Sequence, residues 1–263
     1  MKLLAKRYFG LRQSIGDVLE FEKLKFIMIT KVDLFTCVED VFVSQNIANA
    51  MLPAGFRVLV ACEESQTVCK AFRNIGVDAY SCDIQDCSGG KPEWHIKGDA
   101  IKEAYSGKYD LMIAHPPCTY LSKAGARWLY KGGKLNAERY ELGLQAKAFF
   151  EAILNAPIKH IAVENPTPMK IFGLPKHSQR IEPYAFGHKF SKRTLLWLKN
   201  LPLLTPTKFE TDYVPYLPSN TGGKKRGQKA TPKSISQKES SKTFEGVANA
   251  MAVQWMNAVA ACR

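Results

Sequence analysis

A cysteine preceded by two prolines, Pro116-Pro117-Cys118, is a first candidate for covalent chemistry in this chain. A thiolate is a strong nucleophile, but a free thiol titrates at about 8.5, so Cys118 needs a polarised setting to react at neutral pH. Three acids stand in comparable places. Glu63, Asp83 and Glu164 each follow a β-rich run, as Cys118 does. An acid beside a nucleophilic thiol can hold or hand over a proton in the reacting site. Taken singly, each has a plainer reading. A cysteine after a strand is more often packing, and an acid there is more often a turn or cap residue. The chemical reading requires the four to meet in space.

The elements that carry them supply that meeting. Phe56–Ala61, Val77–Cys82, Tyr109–Ala114, Ile158–Val163 and Thr194–Leu198 are short β-rich runs. Between them, residues 67–75 read as a helix stopped by Gly76, and residues 137–155 as a long amphipathic helix. Residues 244–260 read as a last helix, with Phe244, Val247, Met251 and Trp255 on one side. Strands alternating with helices predict an α/β fold, a mostly parallel, doubly wound sheet covered on both faces. Ligands of such sheets sit beyond the carboxyl ends of the strands, where these four residues fall.

The 263 residues carry 37 Lys and Arg against 24 Asp and Glu, a formal charge of +13. That surplus favours a polyanionic partner such as DNA. It is concentrated in residues 218–242, a Pro/Ser/Gly/Thr-rich stretch with Lys224, Lys225, Arg226, Lys229, Lys233, Lys238 and Lys242 against Glu239 alone. This reads as a flexible basic loop between two parts of a core, 55–217 and 243–263. Residues 1–54 lack sustained periodicity and read as an extension of uncertain role. Met51 lies just ahead of the first core strand, so that segment is an appended arm or an upstream extension of the reading frame. The seven cysteines form no CxxC pair, which argues against a metal site and for reduced thiols in a cytoplasmic protein. No signal peptide and no run of membrane-helix length is read, so no membrane partner is expected.

Several motifs, in order, resemble those of the DNA (cytosine-5) methyltransferases. Pro117-Cys118-Thr-Tyr-Leu-Ser122-Lys-Ala-Gly125 is similar to the family's nucleophile motif, and Ala162-Val-Glu164-Asn165-Pro166 to its Glu-Asn-Val motif. Gly98-Asp99-Ala100-Ile101 resembles its Gly-Asp-Ile cofactor motif. Gly246-Val-Ala-Asn249-Ala-Met251 resembles its closing Gly-Asn-Ala-Val motif. The likeness runs over residues 56–255 and is nearest to the short homologues of phages and prophages.

The resemblance implies a class I fold binding S-adenosylmethionine, with methyl transfer to carbon 5 of cytosine. Cys118 would be the nucleophile, and Glu164 with Asn165 would hold the base. Arg193 would contact the base carbonyl, although the family's second arginine is replaced by Leu195. Lys192, Lys224, Lys225 and Arg226 would meet phosphates. Cofactor contacts would come from Glu63, Ser65, Asp83, Asp99, Ala100, Pro117 and Asn249. The chain departs from the pattern in its first loop, Ala61-Cys62-Glu63-Glu64-Ser65-Gln66, which has no glycine. A loop without glycine does not freely adopt positive φ. It also lacks a large target-recognition domain between Thr194 and Lys242. That predicts little intrinsic sequence specificity, a very short recognition site, an accessory protein that supplies specificity, or a single-stranded or distorted substrate. Two other readings share the fold: action on RNA or a free pyrimidine nucleotide, and a degenerate homologue that only binds DNA.

Overall fold

The computed structural model describes residues 52–216 and 241–261. The extension 1–51 and most of the basic loop, with Lys224, Lys225 and Arg226, lie outside the described residues.

Hydrophobic, often β-branched runs form the centre of a seven-stranded sheet. β1 (Arg57–Ala61) pairs in parallel with β2 (Asp78–Asp83) on one side and β4 (Leu111–Ala114) on the other. β2 pairs in parallel with the short β3 (His95–Lys97), and β4 with β7 (His160–Asn165). β10 (Thr194–Lys199) then runs antiparallel between β7 and β8 (Gln179–Ile181), giving the order β3-β2-β1-β4-β7-β10-β8. The sheet is thus mostly parallel, with one reversed strand next to its edge.

Alternation along the strands divides the interior in two. Val58 and Val60 face a layer built by α1 (Thr67–Asn74) and α5 (Glu245–Ala261), where Phe72, Val247, Met251 and Trp255 pack together. Leu59 and Ala61 face the other layer, with Phe150 and Ile153 of α4 (Ala137–Leu154). α2 (Ala100–Ala104) and α3 (Ala126–Leu129) complete that side. A small hairpin follows α3, made of β5 (Tyr130–Lys131) and β6 (Lys134–Leu135). β9 (Phe190–Ser191) and β11 (Val214–Pro215) form a separate two-stranded ribbon.

Helix ends follow local chemistry. Asp99 caps α2, its Oδ1 accepting from the Ile101 and Lys102 amides at 2.8 and 3.4 Å. Asn136 caps α4 by accepting from the Arg139 amide. α1 is capped from outside: the buried Glu63 carboxylate accepts from the Val68 and Cys69 amides at 2.7 and 3.1 Å. Phe244 stands just before α5 and packs edge-to-face with Tyr216, while Val247, Met251 and Trp255 are buried.

The first loop corrects the expectation drawn from its lack of glycine. Cys62 and Gln66 both adopt left-handed backbone, at φ 59° and 58°. Such a conformation costs a non-glycine residue about 1–2 kcal/mol, so other contacts must hold it. The Gln66 side chain does so by donating to Lys91 O at 2.7 Å and accepting from Lys91 N at 3.0 Å. Close approach comes from the facing loop instead. A Cβ at Gly89 would stand 2.6 Å from Ser65 O.

Among the described residues no helix is long and apolar enough to cross a membrane. Nor does any group of three or more His, Cys, Asp or Glu side chains there suit a metal ion.

Candidate active site

Two loops leave the carboxyl ends of the neighbouring strands β4 and β7, and they are joined. Asn165, buried at the end of β7, donates from Nδ2 to Pro116 O at 3.0 Å. Lys123 N donates to Thr167 O, and Met169 N to Leu121 O. Cys118 begins a tight turn whose carbonyl accepts from the Leu121 and Ser122 amides. Gly125 is needed beneath it, since a Cβ there would meet Thr119 O at 2.7 Å.

Glu164 lies one residue before Asn165, with its carboxylate largely buried. His115, at the end of β4, donates from Nδ1 to Glu164 Oε2 at 3.2 Å. Thr243, just ahead of α5, donates its hydroxyl to the same oxygen at 3.2 Å. Burial alone would raise the Glu164 pKa, but the His115 hydrogen bond and the charges of His115 and Lys192 hold it below the ordinary carboxylate range. Burial works against a charged His115 too, yet the Glu164 hydrogen bond and the charges of Glu164 and Glu63 raise its pKa. Each partner thus favours the charged form of the other. His115 Nε2 is buried with no hydrogen-bond partner, as is Asn165 Oδ1.

The cation of the site is Lys192. It is half-buried, its ammonium 5.7 Å from the Phe244 ring centroid and 3.3 Å from Lys242 O. Burial lowers its pKa, while the Glu164 carboxylate and the Cys118 thiol oppose that shift. The reversed direction of β10 explains its position. Leu195 pairs with Asn165 and Leu196 with Glu164, so the residues leading into β10 arrive at the carboxyl end of β7. A parallel strand would have delivered them to the opposite edge of the sheet. Glu164, Lys192, Thr194, Thr243 and Phe244 line one small cavity there.

Burial, with the Glu164 charge, raises the Cys118 pKa, and its own backbone amide, Lys192 and the Ser122 hydroxyl pull it back. Burial pushes Cys62, Cys69 and Cys82 up to about 12, with nearby carboxylates adding to it. Of these four thiols, Cys118 is the one paired with the site's lysine.

The structure therefore brings Cys118, Glu164, Asn165 and Lys192 together. Arg193 falls elsewhere: its side chain is 59% exposed and its Nε lies 3.8 Å from Glu182. Adjacent residues on an extended segment point to opposite sides, so only one of Lys192 and Arg193 can face the cavity. His115 and Thr243 do not stand out in the sequence as site residues. The histidine has a signal there, standing between a strand and the two prolines, whereas Thr243 enters only through tertiary structure.

On the other side of β4, Asp83 closes β2 and accepts from the Gln85 amide at 2.9 Å. Ile84 beside it is 77% exposed, an apolar surface next to an acid. The Asp99 and Asp83 charges both act on Cys62, which places the three near one another. Ala100 is buried in α2 and Pro117 is exposed. Ser65 Oγ lies 3.3 Å from Thr67 Oγ1 at the start of α1. Glu63 is committed to α1, and Asn249 is exposed on α5. No protein-family model matches this chain, and no curated protein matches it.

Proposed function

We propose that the chain transfers a methyl group from S-adenosylmethionine to carbon 5 of cytosine in DNA, and that its sheet is that of a class I methyltransferase. The observation that carries this reading is the grouping of Cys118, Glu164 and Lys192 at the ends of β4, β7 and β10. A thiol, a carboxylate and a cation are the set that addition to a pyrimidine ring demands.

The Cys118 sulfur adds to carbon 6, and the ring's electron density moves toward carbon 5 and ring nitrogen 3. Lys192 favours the thiolate that starts this step. Glu164 faces the ring nitrogen and exocyclic amine, with His115 behind it as the group that carries a proton. As negative charge builds at nitrogen 3, His115 passes its proton to Glu164, which donates to that nitrogen. After methylation, water takes the carbon 5 proton, and the electron pair left behind expels Cys118 as thiolate by cleavage of the carbon–sulfur bond. Asn165 acts as a positioning residue, since its amide fixes Pro116 two residues before the nucleophile.

The cofactor fits the chain at one end. Asp83 would take the ribose hydroxyls, Ile84 the adenine face, and Asp99 the adenine amine through the oxygen that does not cap α2. The bound cofactor supplies an electrophilic methyl group. A second reading, a homologue that binds DNA without methylating it, is favoured by the first loop. Gln66 and Gly89 bring the facing loop down onto it. Calorimetric titration with S-adenosylmethionine separates the two, since only the enzyme must bind it.

The deciding experiment incubates the protein with isotope-labelled S-adenosylmethionine and DNA, followed by nucleoside mass spectrometry. Labelled 5-methylcytosine from the wild type and none from Cys118→Ala is the expected result. Equal label from both proteins would end the nucleophile assignment.

A further inference from the structure

Immediately past Cys118 the chain changes character. Between Thr119 and Arg139 it carries Lys123, Arg127, Lys131, Lys134 and Arg139 against a single acid, Glu138. The same stretch leaves aromatic rings in solvent: Trp128 is 51% exposed and Tyr130 46%. Trp197 and Trp255 are buried and Trp94 is half-buried, so Trp128 stands apart among the four tryptophans. An indole on the surface forgoes the burial that a core position would give it.

The ring is held out by an anchored scaffold. Leu129, its neighbour, is fully buried, and Asn136 N donates to Leu129 O at 2.8 Å. Gly132 and Gly133, at φ 55° and 78°, close the hairpin that follows. The Arg127 guanidinium lies 4.8 Å from the Trp128 ring centroid, and that of Arg139 4.9 Å from Tyr120. A concave surface lined by Tyr120, Trp128, Asn136, Glu138, Arg139 and Leu142 lies here, with Tyr130 and Lys134 on the adjoining hairpin.

We propose that this surface takes an unpaired DNA strand, whose bases stack on Trp128 and Tyr130 while Arg127 and Lys134 meet its phosphates. The inference rests on the methyltransferase reading and adds the form of the substrate. A duplex keeps its bases stacked on one another, whereas a single strand offers every base face, and stacking on aromatic side chains tolerates any sequence. The excess of bases over acids supplies the attraction for phosphate. An unpaired cytosine also reaches Cys118 without the cost of extrusion from a helix.

The test uses the full chain and a short single-stranded DNA oligonucleotide, its duplex, an abasic strand of equal length and an RNA strand of the same sequence. Binding is read by quenching of tryptophan emission and by anisotropy of a labelled strand, at several salt concentrations. The single strand is expected to quench the emission and to bind at least tenfold more tightly than the duplex. Trp128→Ala should weaken single-strand binding by roughly five- to a hundredfold. It should leave the salt dependence and the affinity for the abasic strand unchanged. Trp128→Phe, which keeps a stacking face, should restore most of the affinity. Lys134→Ala should instead reduce the salt slope by about 0.7. Equal affinity for duplex and single strand, no effect of Trp128→Ala, or an equal loss on the abasic strand would overturn the proposal. Tighter binding of RNA would overturn the choice of DNA. Because binding is read without catalysis, quenching without methylated product counts against the methyltransferase reading alone. Duplex methylation unaffected by Trp128→Ala counts against this proposal alone.

Discussion

A lysine beside a thiol changes what the thiol can do, and that makes Lys192 testable by itself. Replacing it with methionine keeps the bulk and removes the charge that opposes the raised Cys118 pKa. Alkylation of Cys118 at neutral pH should then slow by roughly tenfold for each unit by which the thiol pKa rises. A rate unchanged by Lys192→Met would show that the lysine does not poise Cys118. The pair behind it predicts a pH dependence of stability. His115 has a pKa above its ordinary 6.5, so its contribution is complete below that value and fades as pH rises through the raised one. Glu164 has a pKa below its ordinary 4.5, so its contribution is present above that value and fades as pH falls. The Tm advantage of wild type over His115→Asn should therefore be largest between these limits and shrink on both sides. A difference flat across pH would remove the ion pair from the account. Cys118 and Glu164 were legible in sequence, because reactive groups just past β-rich runs stand out. The choice between Lys192 and Arg193 was not, since the side of a strand each faces depends on register.

Elements were legible where composition marks them. The five β-rich runs and three longer helices lie within a residue or two of their expected bounds. β3, β8 and α2 are three to five residues long, too short for periodicity to reveal. The direction of β10 was also hidden, for a strand reads the same in either sense until its partners are known. Glycines at element ends carry two predictions. Gly125→Ala drives a Cβ against Thr119 O and the Arg139 guanidinium. It should cost about 1–3 kcal/mol, lowering Tm by roughly 2–4 °C for each kcal/mol, and displace the Cys118 turn. Gly246→Ala, in the first turn of α5, sets two effects against each other. Helix propensity favours alanine by about 1 kcal/mol. The new Cβ would collide with the Phe186 carbonyl, and Gly246 N also donates to His188 Nε2 at 2.9 Å. A backbone carbonyl cannot swing aside as a side chain can, so destabilisation should win. A raised Tm for this variant would show that the helix start can shift.

For the whole molecule the charge of +13 matters most through its distribution. Replacing Lys224, Lys225 and Arg226 by alanine should lower the salt slope of single-strand binding by up to about 2, at about 0.7 for each phosphate no longer neutralised. An unchanged slope would take this basic stretch out of the interface. The packing of α5 on α1 has a consequence of a different kind, one of timing. The apolar face of α1, with Val68 and Phe72, has Val247, Met251 and Trp255 as its cover. On a ribosome adding about 5–20 residues per second, α1 emerges roughly 10–30 seconds before its cover is made. During that interval a nascent chain carries one finished face of its sheet and one bare face. Chaperone dependence in the cell should therefore fall on this half of the molecule, and synthesis stalled before α5 should leave a product that aggregates.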